Sequence, residues 1–257
     1  MQPNAQSVRH FPPSLEPDFE RRVDALCVAI VRDGYVFARA RWWRELARDA
    51  ASWHGFRDSW SRLELDRYMA DGGVYRHRRH ATFSLHAPTR SLRLEAHQPH
   101  YQDLAYNPLN GGVARHFAPI ELATIEAAVF VLCMRLFGEV VMRLDAAVAA
   151  WHIEVHQFRI EARAEAPTPP TPEGVHRDGV QYAFMLMIGR SNVVHGETAV
   201  HAPHGSRLGA FLLHDPGDLA VVDDRRVLHG VAPIVRLDPR CPGVRDVLVV
   251  TFRHREG

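Results

Sequence analysis

The sequence predicts a mainly β protein with flanking helices: a double-sheet barrel or jelly roll of cupin-like type, with N-terminal and mid-chain helices packed outside. Three observations lead there. Short apolar segments recur after residue 180 with turn residues about every eight to twelve positions. A helical block at 118–137 interrupts rather than alternates with them. The first 70 residues carry helical periodicity and then stop. Many short strands with segregated helices fit two packed sheets better than alternating βα units. At 257 residues the chain is read as a single domain, 1–257, large enough for a substantial core.

In chain order, 1–14 is proline-containing and unpatterned, and is expected as a loose arm. Residues 15–70 form the helical region. Phe19, Val23, Leu26, Cys27 and Ile30 recur at three- and four-residue steps, and Gly34 ends the helix. "YVFARA" reads as a short strand, "RWWRELARDAASW" as a second helix and "SRLELDRYM" as a shorter one. From 71 onward "GVYRHRRHATFSLH" and "SLRLEAH" read as extended segments. "WHIEVHQFRIEAR" alternates with one slip of phase, as a bulge would produce. The proline-rich "EAPTPPTPEG" is a stiff connection that cannot sit inside a sheet. Six further strand-like segments follow it, ending in "RDVLVVTFRH".

Composition narrows the function. Net charge is +1 with neutral histidines, which argues for neither nucleic acid nor an anionic membrane as partner. All 31 basic residues are arginine, so lysine Schiff-base chemistry is excluded. Three cysteines far apart support neither a disulfide framework nor a cysteine zinc site. No signal-peptide pattern or membrane-length apolar run is evident, so a cytoplasmic location is expected.

Among 17 histidines, four stand two residues before a carboxylate: His152–Glu154, His176–Asp178, His195–Glu197 and His254–Glu256. Such a step alone is weak evidence. His176–Asp178 differs by context. A proline-stiffened lead-in ends at Gly174, Gly179 follows, and an apolar strand then enters the core. His229 follows later at the head of another apolar stretch, and Arg245 opens the last strand. Residues i and i+2 of a strand share a face, so His176 and Asp178 can converge on one ion with His229 as third ligand. Two imidazoles and a carboxylate leave open positions suited to Fe(II) with a cosubstrate and O2. Arg245 supplies a fork for a carboxylate. On the residues alone, a satisfied polar cluster remains an equal alternative.

Taken as an ordered set, "DGGVYRHRRHATF" (71–83), "YQDLAYNPLNGGVARHFAPI" (101–120), "HQFRI" (156–160), "PTPEGVHRDG" (170–179), "NVVHGETAV" (192–200), "DDRRVLHGVAPI" (223–234) and "RDVLVVTF" (245–252) resemble blocks of the 2-oxoglutarate/Fe(II) dioxygenases that hydroxylate free amino acids, the bacterial L-isoleucine 4-hydroxylase type. The resemblance implies a double-stranded β-helix, iron on His176, Asp178 and His229, and 2-oxoglutarate reaching Arg245. It implies hydroxylation of an unactivated C–H bond of an amino acid, aliphatic ones favoured, with succinate and CO2 as co-products. His195 stands where the family usually shows glycine, and Thr198 where it shows serine. Such a substrate needs partners for its carboxylate and ammonium. Arg159 and Gln157 are candidates at the cosubstrate or substrate, and Tyr106, Arg115 and Glu173 at the substrate. Asp223 and Asp224 are candidate partners for the other ring nitrogen of His229. Alternatives are a same-fold oxygenase acting on a modified or peptide-bound amino acid, a cupin-like metal isomerase or hydrolase, and a non-catalytic binding or stress protein.

Overall fold

A computed structural model describes residues 8–12, 16–44, 50–107, 109 and 111–255. Its elements run β1 (Val8–His10), α1 (Pro17–Asp33), β2 (Tyr35–Ala38), α2 (Ala40–Arg44), α3 (Ala50–Asp58), a 3-10 turn (Ser59–Arg62), β3 (Glu64–Leu65), β4 (Arg76–His86), β5 (Ser91–Leu94), α4 (Leu122–Glu126), α5 (Ala128–Leu144) and β6 (Ala150–Ala162). Then come β7 (Tyr182–Ser191), β8 (Val193–His195), β9 (Thr198–His201), β10 (Arg207–Phe211), β11 (Leu219–Asp223), β12 (Leu228–Val231), β13 (Ile234–Arg236) and β14 (Gly243–His254).

The major sheet has the order β1-β5-β4-β6-β14-β7-β11-β2, with β3 on β4. The second wall is broken in two: β10-β9-β12 and β13-β8. Two isolated bridges extend that wall, Thr168 to Ile234 and His176 to His229. The pairs between named strands are antiparallel. This is the expected mainly β jelly roll.

Period-two geometry explains why β7 is buried without a break from Tyr182 to Gly189. Tyr182, Phe184, Leu186 and Ile188 point to the side where α1 and α5 pack. Ala183, Met185 and Met187 point between the two sheets. A sheet covered on both faces needs apolar residues on both, so strict alternation is lost. β11 divides likewise, Leu219 and Val221 against Ala220 and Val222. α5 is the main outer cover, with Cys133, Leu136, Phe137, Val140 and Val141 fully buried.

Several expectations need correction. The helix expected at 118–137 is two helices, α4 and α5, parted at Ala127 (φ −58°, ψ 135°), and α5 runs on to Leu144. Ala118 and Pro119 lie outside it, extended against His80. The "SRLELDRYM" helix is a 3-10 turn followed by β3, because Glu64 and Leu65 pair with Arg78 and His77. The slip in β6 is not a bulge, since β6 keeps one register along both β4 and β14. It arises because His156 and Gln157 are both buried, one on each covered face. Part of the expected loose arm is ordered: Val8–His10 pairs with β5, and Phe11 joins the core. The rest of that arm, the middle of "RWWRELARDAASW" and Glu256 lie outside the described residues.

Candidate active site

The inner face of the major sheet is apolar along β7 and β11, mixed along β14, and polar along β4 and β6. Arg76, Arg78 and His80 of β4 alternate inward with His152, Glu154 and His156 of β6, while Ala81, Phe83, Ile153 and Val155 point to the helices. Two adjoining cavities open on this polar face, of about 330 and 120 Å³. Asp178, Glu173 and Arg76 border both.

His176, Asp178 and His229 meet at this junction. The backbones of His176 and His229 exchange two hydrogen bonds of 2.9 and 3.0 Å, which fixes the rings side by side with centroids 4.7 Å apart. Gly230 makes that approach possible, since a Cβ there would lie 2.8 Å from the Gly174 carbonyl. One oxygen of Asp178 is 3.5 Å from His176 Nε2 and the other 3.6 Å from His229 Nε2. Ligand atoms about 3 Å apart are what bonds of about 2.1 Å at right angles require. His176 Nδ1 donates to the Gly174 carbonyl at 3.0 Å, which leaves Nε2 as the nitrogen facing Asp178. The donor set fits a ferrous ion: two imidazole nitrogens and one carboxylate, converging from three directions.

The surroundings of the three differ. Burial opposes a proton on His176, but Asp178 and Glu173 prevail and hold its pKa up at about 9. Burial pushes His229 down to about 4. Burial works against the Asp178 carboxylate too, yet the two imidazoles hold it well below its usual range. Asp224 is raised to about 6 by burial and by Asp178. The expectation that Asp223 or Asp224 would bond His229 needs correction. Asp224 Oδ1 is 3.9 Å from His229 Nδ1, too far for a hydrogen bond, and that nitrogen has no hydrogen-bond partner among the described residues. Asp224 instead accepts the N–H groups of Asp178, Gly179 and Val180, at 3.1, 2.8 and 3.2 Å, and so shapes the turn that presents Asp178. Asp223 pairs with Arg225.

Arg245 lies on the inner face of β14, buried, and borders the smaller cavity with His176, Asp178 and His229. Among the described residues no carboxylate lies within ion-pair distance of it, and its Nε has no partner. Burial and the charge of Arg190 push it down to about 9. A buried guanidinium without a counter-ion is a strong site for a carboxylate.

Arg159 and Gln157 are not at either cavity. As odd-numbered residues of β6 they point to the helix side, opposite His156 and Phe158. Arg159 grips Asp246 with two hydrogen bonds of 2.8 Å, and Gln157 Nε2 donates to Ser59 Oγ at 2.8 Å. The geometry gives neither a cosubstrate role.

Tyr106, Arg115 and Glu173 do border the larger cavity. Tyr106 lies over Gly179, where a Cβ would come within 2.5 Å of its ring. Arg115 is buried and donates to Gln102 at 3.3 Å. Gln102 in turn donates to the Asp178 carbonyl at 3.2 Å, so the loop around 100–115 is tied to the turn that carries the carboxylate. Glu173 sits 3.7 Å from His176. Sequence reading missed Arg76, Arg78, His80, His100 and His156. For the residues on β4 and β6 the signal was the alternation of polar residues, which marks a polar inner face once the two strands are paired; His100, in the loop after β5, carried none.

A family model described as 2OG-Fe dioxygenase matches residues 57–251. The chain belongs to that family. It is therefore a non-haem Fe(II) dioxygenase, with Fe(II), 2-oxoglutarate and O2 as its cofactors. It is 27% identical over 164 residues to the 3(1)-hydroxy-L-isoleucine 4-dioxygenase of Pantoea ananatis, a match covering 62% of this chain and 65% of that protein. It is 24% identical over 204 residues to the L-isoleucine-4-hydroxylase of Bacillus thuringiensis, covering 76% and 83%. Among solved structures, a bsmA homologue from Methylobium petroleophilum superposes with a TM-score of 0.81 at 32% identity, covering 90% and 92% of the two chains. The IDO structure from Bacillus thuringiensis shares the fold, with a TM-score of 0.77 at 18% identity over 91% of this chain and all of that one. No described helix is long and apolar enough to cross a membrane.

Proposed function

We propose that this dioxygenase hydroxylates an unactivated C–H bond of a free L-amino acid, with aliphatic side chains such as those of isoleucine or leucine favoured, forming the hydroxyamino acid, succinate and CO2. His176, Asp178 and His229 hold the iron. The iron and 2-oxoglutarate together supply the oxidising chemistry, and the protein supplies position and exclusion of water. Arg245 takes the distal carboxylate of 2-oxoglutarate in the smaller cavity.

The observation that carries the reading is the charge arrangement of the larger cavity beside Asp178. Arg76 and Arg115 offer guanidinium groups for an α-carboxylate, and Glu173 offers a carboxylate for an α-ammonium. Phe158, Val180 and Val249 give an apolar stretch for a short side chain. A volume of about 330 Å³ suits one amino acid rather than a folded peptide segment. Tyr106, packed over Gly179, borders the same cavity. The isoleucine hydroxylases among the relatives support the same class.

The test is succinate release by protein supplied with Fe(II), ascorbate, 2-oxoglutarate and each common L-amino acid in turn. Stimulation by one or a few aliphatic amino acids is expected. Normal iron and 2-oxoglutarate binding with no stimulation by any free amino acid would overturn the substrate class. Arg115→Ala is expected to raise the amino-acid KM while leaving that of 2-oxoglutarate near the parent value.

A further inference from the structure

We propose that His80, His100 and Glu154 form a second metal site, for a divalent ion of zinc-like preference, on the wall of the larger cavity and separate from the iron ligands. Together with His156 they bring one donor atom each within 4.8 Å of one another. They come from three places: His80 from β4, Glu154 and His156 from β6, and His100 from the loop crossing above. The strand register puts His80 directly opposite His156, and their rings stack with centroids 4.7 Å apart. Nothing local in the chain brings them together.

Three features point to a ligand. His80 is fully buried, yet neither ring nitrogen has a hydrogen-bond partner among the described residues. Buried polar side-chain atoms are rarely left so. A metal bond would satisfy one of the two. Glu154 is surrounded by imidazoles. His100 Nδ1 is in close contact with one oxygen, which His156 Nε2 also approaches at 3.5 Å, and His152 approaches the other oxygen at 3.5 Å. A single carboxylate facing so many nitrogen donors resembles a ligand set more than an ordinary ion pair. Finally, Glu154 and His100 border the cavity, so an ion there keeps a face open.

The set has three members rather than four. Arg78 lies 2.7 Å from His156 Nδ1, and a guanidinium only donates. His156 therefore accepts at Nδ1 and carries its hydrogen on Nε2, turned toward Glu154. It orients the carboxylate and does not ligate. Arg78 itself leans on Asp66 at 3.5 Å, which offsets its charge beside a cation. Two imidazoles, one carboxylate and an open fourth position form the donor set of zinc sites that bind water or a substrate heteroatom. That position faces the space Asp178 borders, so the heteroatom it would take is the amino or carboxylate group of whatever occupies the cavity.

Zinc is the probe. The metal-free full chain is dialysed to equilibrium against Zn(II), and bound metal is counted. Two equivalents are expected for the parent. One is expected for Asp178→Ala/His229→Ala, where only the new site remains, and one for His80→Ala/Glu154→Gln, where only the iron ligands remain. Because His80 lies in a core strand, His100→Ala in the loop serves as a second variant, with circular dichroism to check the fold. In the Asp178→Ala/His229→Ala background it should weaken the remaining site at least tenfold. The same background loaded with Co(II) should show a ligand-field spectrum that His100→Ala removes. A parent that stops at one equivalent overturns the site, as does a second equivalent that survives both the His80→Ala/Glu154→Gln and the His100→Ala changes. Loss of the second equivalent alone leaves His176, Asp178 and His229 in place, so failure of this site and failure of the proposed reaction are read separately.

Discussion

Two clusters of histidine and carboxylate reach the larger cavity, one through Asp178 and the other through His100, Glu154 and His156, and they were unequally visible in the chain. His176 and Asp178 stand two residues apart between Gly174 and Gly179. Their turn is local, and only His229 had to be found at a distance. The group around Glu154 depends on cross-strand register: His80 faces His156 because β4 and β6 pair as they do. A single-strand pattern shows that residues share a face, but not which neighbour that face meets. Of the second cluster, the sequence alone shows only the His152–Glu154 step.

The largest expected difference between the two regions is in turnover. Asp178→Ala removes the carboxylate that both imidazoles face, and should lower 2-oxoglutarate-dependent succinate release by about a thousandfold or more. Circular dichroism and the denaturation midpoint should change little. Retained turnover would break the division of roles between the clusters.

Next in size is a stability effect on the polar wall. Asp66 is buried beneath Arg76 at 2.8 Å and Arg78 at 3.5 Å. Asp66→Asn leaves two buried guanidinium groups short of a counter-ion, at a cost of about 3–5 kcal/mol, read by urea denaturation at pH 7. The sign of the pH dependence follows. Burial opposes its ionisation, yet Arg76 and Arg78 hold its carboxyl below the usual value. Its contribution is complete above the ordinary carboxylate range of about 4, and is lost as pH falls through the folded-state value. The gap between parent and variant should therefore narrow in acid. A constant gap would mean that Asp66 does not titrate in this way.

Arg159→Ala sharpens the comparison of the two faces of β6. It should cost about 1–3 kcal/mol through loss of two charge-assisted bonds to Asp246. The KM for 2-oxoglutarate should stay put, because Arg159 points to the helix side. A large rise in that KM would put Arg159 back at the cosubstrate.

The smallest effect concerns His195. It holds φ at 62°, left-handed backbone that glycine adopts readily. Its side chain is exposed, so His195→Gly should stabilise the chain by about 0.5–1 kcal/mol, the relief of strain less the added freedom of the unfolded chain. Destabilisation would mean that the imidazole makes a contact worth more than the strain.

Legibility followed locality elsewhere too. The extended segments after the proline run and α1 were readable because turn residues and helical periodicity mark them within a few positions, although "NVVHGETAV" divides into β8 and β9 and "VLHGVAPIV" into β12 and β13. Gln157 and Arg159 were misplaced because β6 is covered on both faces, so hydrophobicity did not reveal which parity faces the cavity. The "SRLELDRYM" segment carries helical spacing, but strand pairing with β4 overrides it at Glu64–Leu65. The helix expected at 118–137 began too early because Ala118 and Pro119 are held by His80, a partner 39 residues away as 119 − 80 counts it.

On the proposed reading one metal is held by His176, Asp178 and His229 beside Arg245, which has no ion-pair partner among the described residues. Calorimetric titration of 2-oxoglutarate into the protein loaded with Mn(II) without O2 tests it most directly. Binding should need the metal, vanish in Asp178→Ala, and weaken about ten- to a hundredfold in Arg245→Ala. Binding of equal strength without metal, or unchanged by the loss of Arg245, would contradict it.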